Sequence, residues 1–162
     1  MADAPPESAD IRVARGIDAA RVRDVMLLAF DEYRAFALPS SALDESLEEI
    51  ERAIERGGAL LVVEGERDVG SVRFEVKGDA LGFSRLAVVP HARGRGLGAA
   101  MIARLESMAR SLDLARVEIT VRSQQPDNRP YYERLGYEVT GYGERYGVPD
   151  LVTKMRKVIT KD

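Results

Sequence analysis

Apolar positions in the first third of the chain recur at the three-to-four-residue spacing of an amphipathic helix. One such set follows Asp18, which could serve as an N-cap, and consists of Val22, Val25, Met26, Ala29, Phe30 and Tyr33. A second set follows Asp44, another candidate cap, and consists of Leu47, Ile50 and Ile54, with Gly57-Gly58 as a stop signal. The pattern therefore predicts two consecutive helices after a short first strand at Ile11–Ala14.

After Gly58 the period changes to the alternation that is typical of β-strands. Three such runs, 59–63, 69–76 and 81–89, are joined by short turn-like segments and predict an antiparallel meander. A helical face of Leu97, Met101, Leu105, Met108 and Leu112 comes next. The remaining predicted elements are a strand at 117–121, a short helix at 131–135, and strands at 137–142 and 151–157.

The order of these elements is β-α-α-β-β-β-α-β-α-β-β. Its strand-helix-strand portion is a βαβ unit, which should place two parallel strands in one sheet through a right-handed crossover. The sequence thus predicts an α/β (α+β) fold with a mixed, mostly antiparallel central sheet flanked by helices.

A length of 162 residues fits one domain, and the hydrophobic fraction of 45% is ordinary for a globular protein. We expect residues 1–10, rich in Ala, Pro and acidic side chains, to form a disordered tail, and residues 11–160 to form the single domain. No apolar run reaches the roughly 18 residues that span a bilayer, and the N-terminus does not resemble a signal peptide. The expectation is a cytoplasmic protein without a membrane partner.

Charge and composition exclude several classes of partner and site. The net charge of −3 gives no positive field that would hold nucleic acid, so the arginines must be interpreted locally. The absence of cysteine and the presence of a single histidine, His91, exclude disulfides, a cysteine nucleophile and Cys- or His-rich metal sites. We therefore expect no metal site and assign His91 no role.

The segment Arg93-Gly94-Arg95-Gly96-Leu97-Gly98 lies between a predicted strand and a predicted helix. Glycine allows the backbone to approach a ligand closely, and the first N–H groups of a helix lack internal partners. Together with the helix dipole and the arginine charges, these groups form an anion site. The simple alternative is a flexible, solvated surface loop.

Three other phosphate motifs fit the segment less well. A Walker A loop requires Gly-Lys-Ser/Thr, which is missing. Gly94-x-Gly96-x-x-Ala99 matches a dinucleotide fingerprint, in which the glycines begin the turn directly after the strand. Here the four residues 90–93 separate the strand from the first glycine, and Glu118, the candidate for the fingerprint's acidic residue, lies inside a strand instead of at its end. A kinase-type glycine loop joins two strands, whereas a helix follows here.

Two segments resemble the GNAT acetyltransferase family. Leu86-Ala87-Val88-Val89-Pro90 followed by Arg93-x-x-Gly96-x-Gly98 is similar to its acetyl-CoA motif, Gln/Arg-x-x-Gly-x-Gly/Ala. Residues 128–137, Asn-Arg-Pro-Tyr-Tyr-Glu-Arg-Leu-Gly-Tyr, resemble its Asn…Tyr-Tyr-Glu-x-Leu-Gly-Phe segment. The resemblance covers 59–142 well and the N-terminal helices by element order only.

This resemblance implies a GNAT-like sheet whose parallel strands splay apart to admit acetyl-CoA, the co-substrate. It implies that Leu86, Ala87 and Val88 bind the pantetheine arm through their backbone. The pyrophosphate would bind the loop and the first helical turn, namely Arg93, Gly94, Arg95, Gly96, Leu97, Gly98 and Ala99. Asn128 would contact the cofactor, although a helix N-cap is the equally plausible structural role.

Tyr132 matches the family's general acid, and its neighbour Tyr131 is interpreted as packing. Because a phenol normally titrates near 10 and a thiol near 8.5, a tyrosine can protonate a departing thiolate at neutral pH. Without the resemblance, both tyrosines would be taken for core aromatics. Some branches of the family carry a glutamate at the position of Thr120, and another common acidic position holds Ser84. Glu75 and Glu118 are left as weak candidates for the base, beside a water relay or binding of an amine that is already neutral.

The acceptor is expected to be a small-molecule or peptide amine, which Tyr33, 39–41 and 142–149 would border. The predicted function is N-acetyl transfer from acetyl-CoA to a primary amine. The alternative is a non-catalytic acyl-CoA sensor of the same fold. Relatives in the family suggest a possible homodimer.

Overall fold

The computed structural model describes residues 9–35, 41–123, 128–145 and 148–160. The chain groups into two compact units. The first runs to Glu75 and includes Ser84–Arg104, and the second consists of Val76–Phe83 and the chain from Leu105 onward. The predicted tail lies largely outside the described residues, and its extent and the single-domain boundaries stay predictions.

The first unit begins with β1 (Ala9–Ala14) and the helices α1 (Ala19–Phe30) and α2 (Leu47–Arg56). They are followed by β2 (Gly58–Glu64), and most of β3 (Arg67–Lys77) belongs to this unit. Strands β1, β2 and β3 pair antiparallel, with a register shift at Val62/Val63. Most of the predicted apolar helix positions are buried, and Val22, Met26 and Ile50 are at most 1% exposed. Leu47 is half-buried, and Tyr33 lies beyond α1 in a 3-10 turn and is also half-buried.

The starts of the two helices differ from the predicted capping. Asp18 does precede α1, but its Oδ2 accepts the backbone N–H of Arg15 at 2.9 Å and no helical N–H. The prediction of Asp44 as the cap of α2 was wrong. Asp44 ends a 3-10 turn, and Ser46 caps the helix, with its Oγ accepting the N–H of Glu49 at 3.1 Å. Both residues suit a cap, and only the backbone path selects between them.

The chain continues through β4 (Ala80–Val88), α3 (Leu97–Ser111), β5 (Arg116–Arg122), α4 (Arg129–Arg134), β6 (Glu138–Arg145) and β7 (Val148–Val158). The seven strands form one sheet in the order β1-β2-β3-β4-β5-β7-β6, and β4–β5 is its parallel pair. The predicted mixed sheet flanked by helices is therefore confirmed. Leu112 is the exception on the predicted helical face, being 56% exposed because α3 ends one residue earlier.

The second unit contains the parallel ladder, in which Ala80–Phe83 pair with Arg116–Ile119. Strand β7 pairs antiparallel with β5 and with β6. A partly buried ion pair supports this unit, since Lys157 Nζ lies 2.7 Å from Glu106 Oε1 and donates to the carbonyl of Leu135 at 2.9 Å. Within the described part of the chain, no helix is long and apolar enough to cross a membrane.

Candidate active site

The glycine-arginine segment forms a bridge from β4 to α3. Val89 N–H donates to the carbonyl of Val69 at 3.0 Å, and a 3-10 turn at Pro90–Ala92 follows, with Ala92 fully buried. Gly94 and Gly96 both have a φ of 77°, in the left-handed region that favours glycine. The backbone therefore needs glycine at these two positions.

The helix starts directly after these glycines. Ala100 N–H donates to the carbonyl of Gly96 at 3.0 Å, so the amides of Leu97, Gly98 and Ala99 precede the helical hydrogen-bond ladder. Space is open in front of Gly94, where an added Cβ would meet no atom within 4 Å. The first N–H groups of a helix have no partner within the helix, so this turn offers donors and a positive helix end beside the open space at Gly94, which suits a pyrophosphate.

Arg93 holds this loop to the end of α1. Its Nε donates to the carbonyl of Val88 at 3.1 Å, and its Nη2 donates to the carbonyl of Ala29 at 2.8 Å. Its Nη1 lies 2.9 Å from Glu32 Oε1. The guanidinium therefore fixes the loop, and the contribution of Arg93 to a phosphate site would come through its backbone.

Arg95 is also engaged within the protein. Its Nη2 lies 2.9 Å from Glu64 Oε2 at the end of β2, and its Nε donates to the carbonyl of Ala92 at 3.4 Å. The side chain is about one-third exposed. An ion pair at this exposure is weak enough for the guanidinium to exchange partners.

The predicted pantetheine strand follows an irregular residue. Arg85 has a φ of 57°, which is rare for a residue with a side chain and marks backbone strain within β4. Leu86 and Val88 are partly exposed, whereas Ala87 is buried at 1%. The strand at 86–88 is therefore only partly buried.

Tyr132 lies in α4 among other rings. Its ring centroid is 5.1 Å from that of Tyr131, 6.1 Å from that of Tyr137 and 6.2 Å from that of Phe83. The residue is 5% exposed. Tyr132 is therefore packed as a core aromatic residue. This packing holds its ring in one position.

Tyr131 and Tyr137, the two tyrosines that contact Tyr132, both have a raised pKa. Burial raises the pKa of Tyr137, and the negative charge of Glu106 raises it further. Burial also raises the pKa of Tyr131, with the positive charge of Arg134 opposing the shift. Both phenols are protonated at neutral pH.

Asn128 occupies the N-cap position of α4, since its carbonyl accepts the N–H of Tyr132 at 3.3 Å. Its side chain makes no capping hydrogen bond. Asn128 therefore caps the helix through its backbone carbonyl alone, and its side-chain amide takes no part in capping.

The positions considered for a general base divide into two groups. Thr120 and Ser84 are exposed and carry no carboxylate. Glu118 accepts a hydrogen bond from Arg116 Nε at 2.5 Å, and Glu75 Oε1 lies 3.4 Å from Arg56 Nε. Both glutamates are thus placed as partners of strand or helix arginines.

Other predicted residues have simpler places. His91 is exposed, and Tyr33 stacks on Phe30 with a centroid distance of 5.3 Å. Residues 39 and 40 lie outside the described residues, as do 146 and 147, so the proposed specificity segments are described only in part. Among the residues that are described, no cluster of three or more His, Cys, Asp or Glu could hold a metal ion.

One charged cluster was missed by the sequence reasoning. Glu45 Oε1 accepts from Arg73 Nη2 at 2.7 Å and from Arg85 Nε at 2.8 Å. The only local signal is an arginine inside each of two alternating strand patterns, which resembles an ordinary solvated position. The cluster forms from segments that are far apart in sequence.

A family model for an acetyltransferase (GNAT) domain matches residues 31–158. The chain belongs to the GNAT acetyltransferase family. It is therefore an acyltransferase, and acetyl-CoA is its co-substrate. A search of curated protein sequences found no match.

Solved structures share the fold of this GNAT protein at low sequence identity. PaiA N-acetyltransferase from Thermoplasma acidophilum, in complex with coenzyme A, is 15% identical with a TM-score of 0.78, over 93% of this chain and 99% of that one. The ribosomal-protein-S18-alanine N-acetyltransferase from Escherichia coli is 18% identical with a TM-score of 0.75, over 95% and 96%. Spermidine N-acetyltransferase from Vibrio cholerae, in complex with CoA and spermine, is 16% identical with a TM-score of 0.72, over 96% and 98%.

Proposed function

We propose that this GNAT enzyme transfers an acetyl group from acetyl-CoA directly to a primary amine. The observation that carries the proposal is the loop in which Gly94 and Gly96 adopt positive φ immediately before the first turn of α3. Bound acetyl-CoA supplies a thioester that the amine attacks and a thiolate that leaves.

The roles of the chain's own residues follow from their places. The amides of 93–99 bind the pyrophosphate, and Arg93 positions them through its hydrogen bond to Ala29 in α1 and its ion pair with Glu32. The backbone of Leu86–Val88 binds the pantetheine arm. Asn128 contacts the cofactor through a side chain that the helix does not use as a cap.

Tyr132 donates the proton that the departing sulfur needs. Its close packing supports this role, because a ring held by three aromatic neighbours keeps its hydroxyl in a fixed direction. Since Glu75 and Glu118 are engaged by arginines, we propose that the acceptor amine loses its proton through water or binds in its neutral form.

The second candidate is an acyl-CoA sensor without turnover. It is favoured by the exposed Thr120 and Ser84, which stand at positions where some branches of the family carry an acid. An amine screen that records the release of free thiol from acetyl-CoA distinguishes the acetyltransferase from the sensor. Enzyme-dependent thiol release with a new N-acetyl product supports transfer, whereas tight acetyl-CoA binding without any product supports the sensor.

A further inference from the structure

The two arginines of the glycine loop are held to different degrees. Every nitrogen of the Arg93 guanidinium has a partner within 3.1 Å. Arg95 makes a long hydrogen bond of 3.4 Å from Nε to the carbonyl of Ala92 and an ion pair with Glu64, and its Nη1 has no partner among the described residues. Arg95 is therefore the loop arginine whose side chain is free to change partners.

The ion pair between Arg95 and Glu64 has a short distance but a poor direction. Arg95 Nη2 lies 2.9 Å from Glu64 Oε2, yet this oxygen makes no properly directed hydrogen bond within the part of the chain that the structure describes. The two side chains are 36% and 29% exposed. Ion pairs at such exposure stabilise a protein weakly, because water screens the charges and the long arginine side chain loses freedom. Breaking this pair therefore costs little.

Glu64 is placed where a negative charge is unfavourable. It is the last residue of β2, and its Oε2 is buried without a formed hydrogen bond. A buried charged oxygen in this state costs stability, and native proteins rarely keep one without a reason. The carboxylate also lies beside a loop whose proposed ligand is itself an anion. Both observations point to a role for Glu64 that is connected with the loop.

The connection is the shared guanidinium of Arg95, and this step rests on the proposed function, in which 93–99 binds the pyrophosphate. A guanidinium presents parallel N–H donors that match phosphate oxygens as well as carboxylate oxygens. While Arg95 is paired with Glu64, its Nη2 is engaged away from a phosphate. The affinity for a ligand falls when its binding group is engaged elsewhere in most of the free molecules.

We propose that Glu64 is an internal competitor of the co-substrate for Arg95. Arg95 pairs with Glu64 in the free protein, turns to a phosphate of bound acetyl-CoA, and returns to Glu64 as CoA leaves. Glu64 thereby lowers the affinity for both acetyl-CoA and CoA and speeds the release of CoA. Because product release limits turnover in many enzymes, weaker CoA binding favours turnover.

The test measures CoA affinity by isothermal titration in the unchanged protein, in Glu64→Gln, in Arg95→Gln and in the double variant. Glu64→Gln should bind CoA roughly two- to fivefold more tightly, the size of a partly exposed ion pair, and should release it more slowly. Arg95→Gln should bind about tenfold more weakly, the lower range for a hydrogen bond to a charged group. The double variant should bind as Arg95→Gln does, because Glu64 acts through Arg95.

Two further variants separate this competition from other effects of charge. Glu66→Gln removes an equal charge from an exposed turn position two residues away and should leave CoA affinity unchanged. Glu64→Asp keeps the charge but withdraws it from Arg95 by one methylene, so it should also tighten CoA binding, and it serves if Glu64→Gln does not fold.

The contrary results are distinct from one another. Unchanged or weaker CoA binding in folded Glu64→Gln and Glu64→Asp overturns the competition. Equal tightening with and without Arg95 would mean simple repulsion between Glu64 and the phosphates, which also overturns it. Both results leave the proposed function intact, because the unchanged protein still binds CoA. Failure of the unchanged protein to bind CoA would count against the proposed function itself and would remove the competition with it.

Discussion

The side chain on which the proposed chemistry depends most is Tyr132. Replacing it with phenylalanine keeps the ring and its contacts with Phe83, Tyr131 and Tyr137, and removes only the hydroxyl. We expect kcat to fall by about 10²- to 10⁴-fold, the usual contribution of a general acid. Acetyl-CoA binding should be retained, because the lost interaction is made in the transition state.

Tyr131→Phe is the matched control for this prediction. Tyr131 stacks edge-on against Tyr132 and is expected to act through packing alone, so its variant should be much milder. Steady-state kinetics with a good acceptor amine would measure both. Near-normal turnover in Tyr132→Phe would remove its assignment, and equal losses in both variants would make the tyrosine pair structural.

A role for a residue could be predicted from sequence where a short local motif contains that residue. Tyr132 and the loop glycines belong to short segments with fixed spacing, so a resemblance can align them. Glu45, Arg73 and Arg85 do not, because Glu45 is 28 residues from Arg73 and 40 from Arg85. Only the pairing of the strands brings such residues together.

The loop between β4 and α3 gives a prediction at the level of elements. Gly94→Ala should lower acetyl-CoA affinity by roughly 10- to 100-fold, the value of about one charged hydrogen bond, because a Cβ at a φ of 77° forces the backbone amides to move. Isothermal titration would measure the loss.

Gly78→Ala is the control for the loop. Gly78 also has positive φ, of 59°, and open space around its Cβ position, but it lies in the turn between β3 and β4. Both substitutions should therefore cost about 1–2 kcal/mol of stability. Equal affinity for acetyl-CoA in the two variants would show that the loop does not bind the pyrophosphate.

The contact between α1 and β3 predicts an acid-sensitive part of the stability. Arg21 donates through Nε and Nη2 to the two oxygens of Asp68, at 2.9 and 2.6 Å. The hydrogen bond from Arg21 lowers the pKa of Asp68, partial burial opposes this, and the charges of Arg21 and Arg12 lower it further. Because the folded pKa is depressed, the contribution is complete above about pH 4, the unfolded value, and is lost as the pH falls through the folded pKa.

Denaturant unfolding between pH 7 and pH 3 would test this contribution. Asp68→Asn should lose about 1 kcal/mol at pH 7, the upper range for a partly exposed pair, and should show a weaker dependence on acid. Asp31→Asn breaks a similar but exposed pair with Arg34 and should change neither quantity. Identical pH profiles for Asp68→Asn and the unchanged protein would contradict the prediction.

At the scale of elements, the sequence pattern predicted the eleven α-helices and strands of the described residues in the right order, and it did not predict the four 3-10 helices between them. Their ends were less predictable. Asp44 and Ser46 are both good caps, and the buried periodic face at Leu105 continues by pattern to Leu112, which is exposed. Periodicity records which face is buried, whereas the end of an element depends on where the chain turns away.

For the whole molecule, assembly is a separate prediction. The expected homodimer comes from the family resemblance alone. Light scattering at tens of micromolar, about the range in which interfaces of ordinary affinity form, should give twice the mass of the chain. A monomeric mass at that concentration would remove the prediction without affecting the proposed chemistry.

The central claim is that the loop at 93–99 binds acetyl-CoA, and thermal unfolding with and without the co-substrate tests it most directly. Acetyl-CoA at 100 times its dissociation constant should stabilise the protein by about 2.7 kcal/mol. Gly96→Asp should abolish the shift by placing bulk and negative charge at the pyrophosphate, whereas Gly65→Asp, at a similar positive φ in the turn between β2 and β3, should retain it. A folded Gly96→Asp protein that acetyl-CoA stabilises as fully as the unchanged chain would contradict the claim.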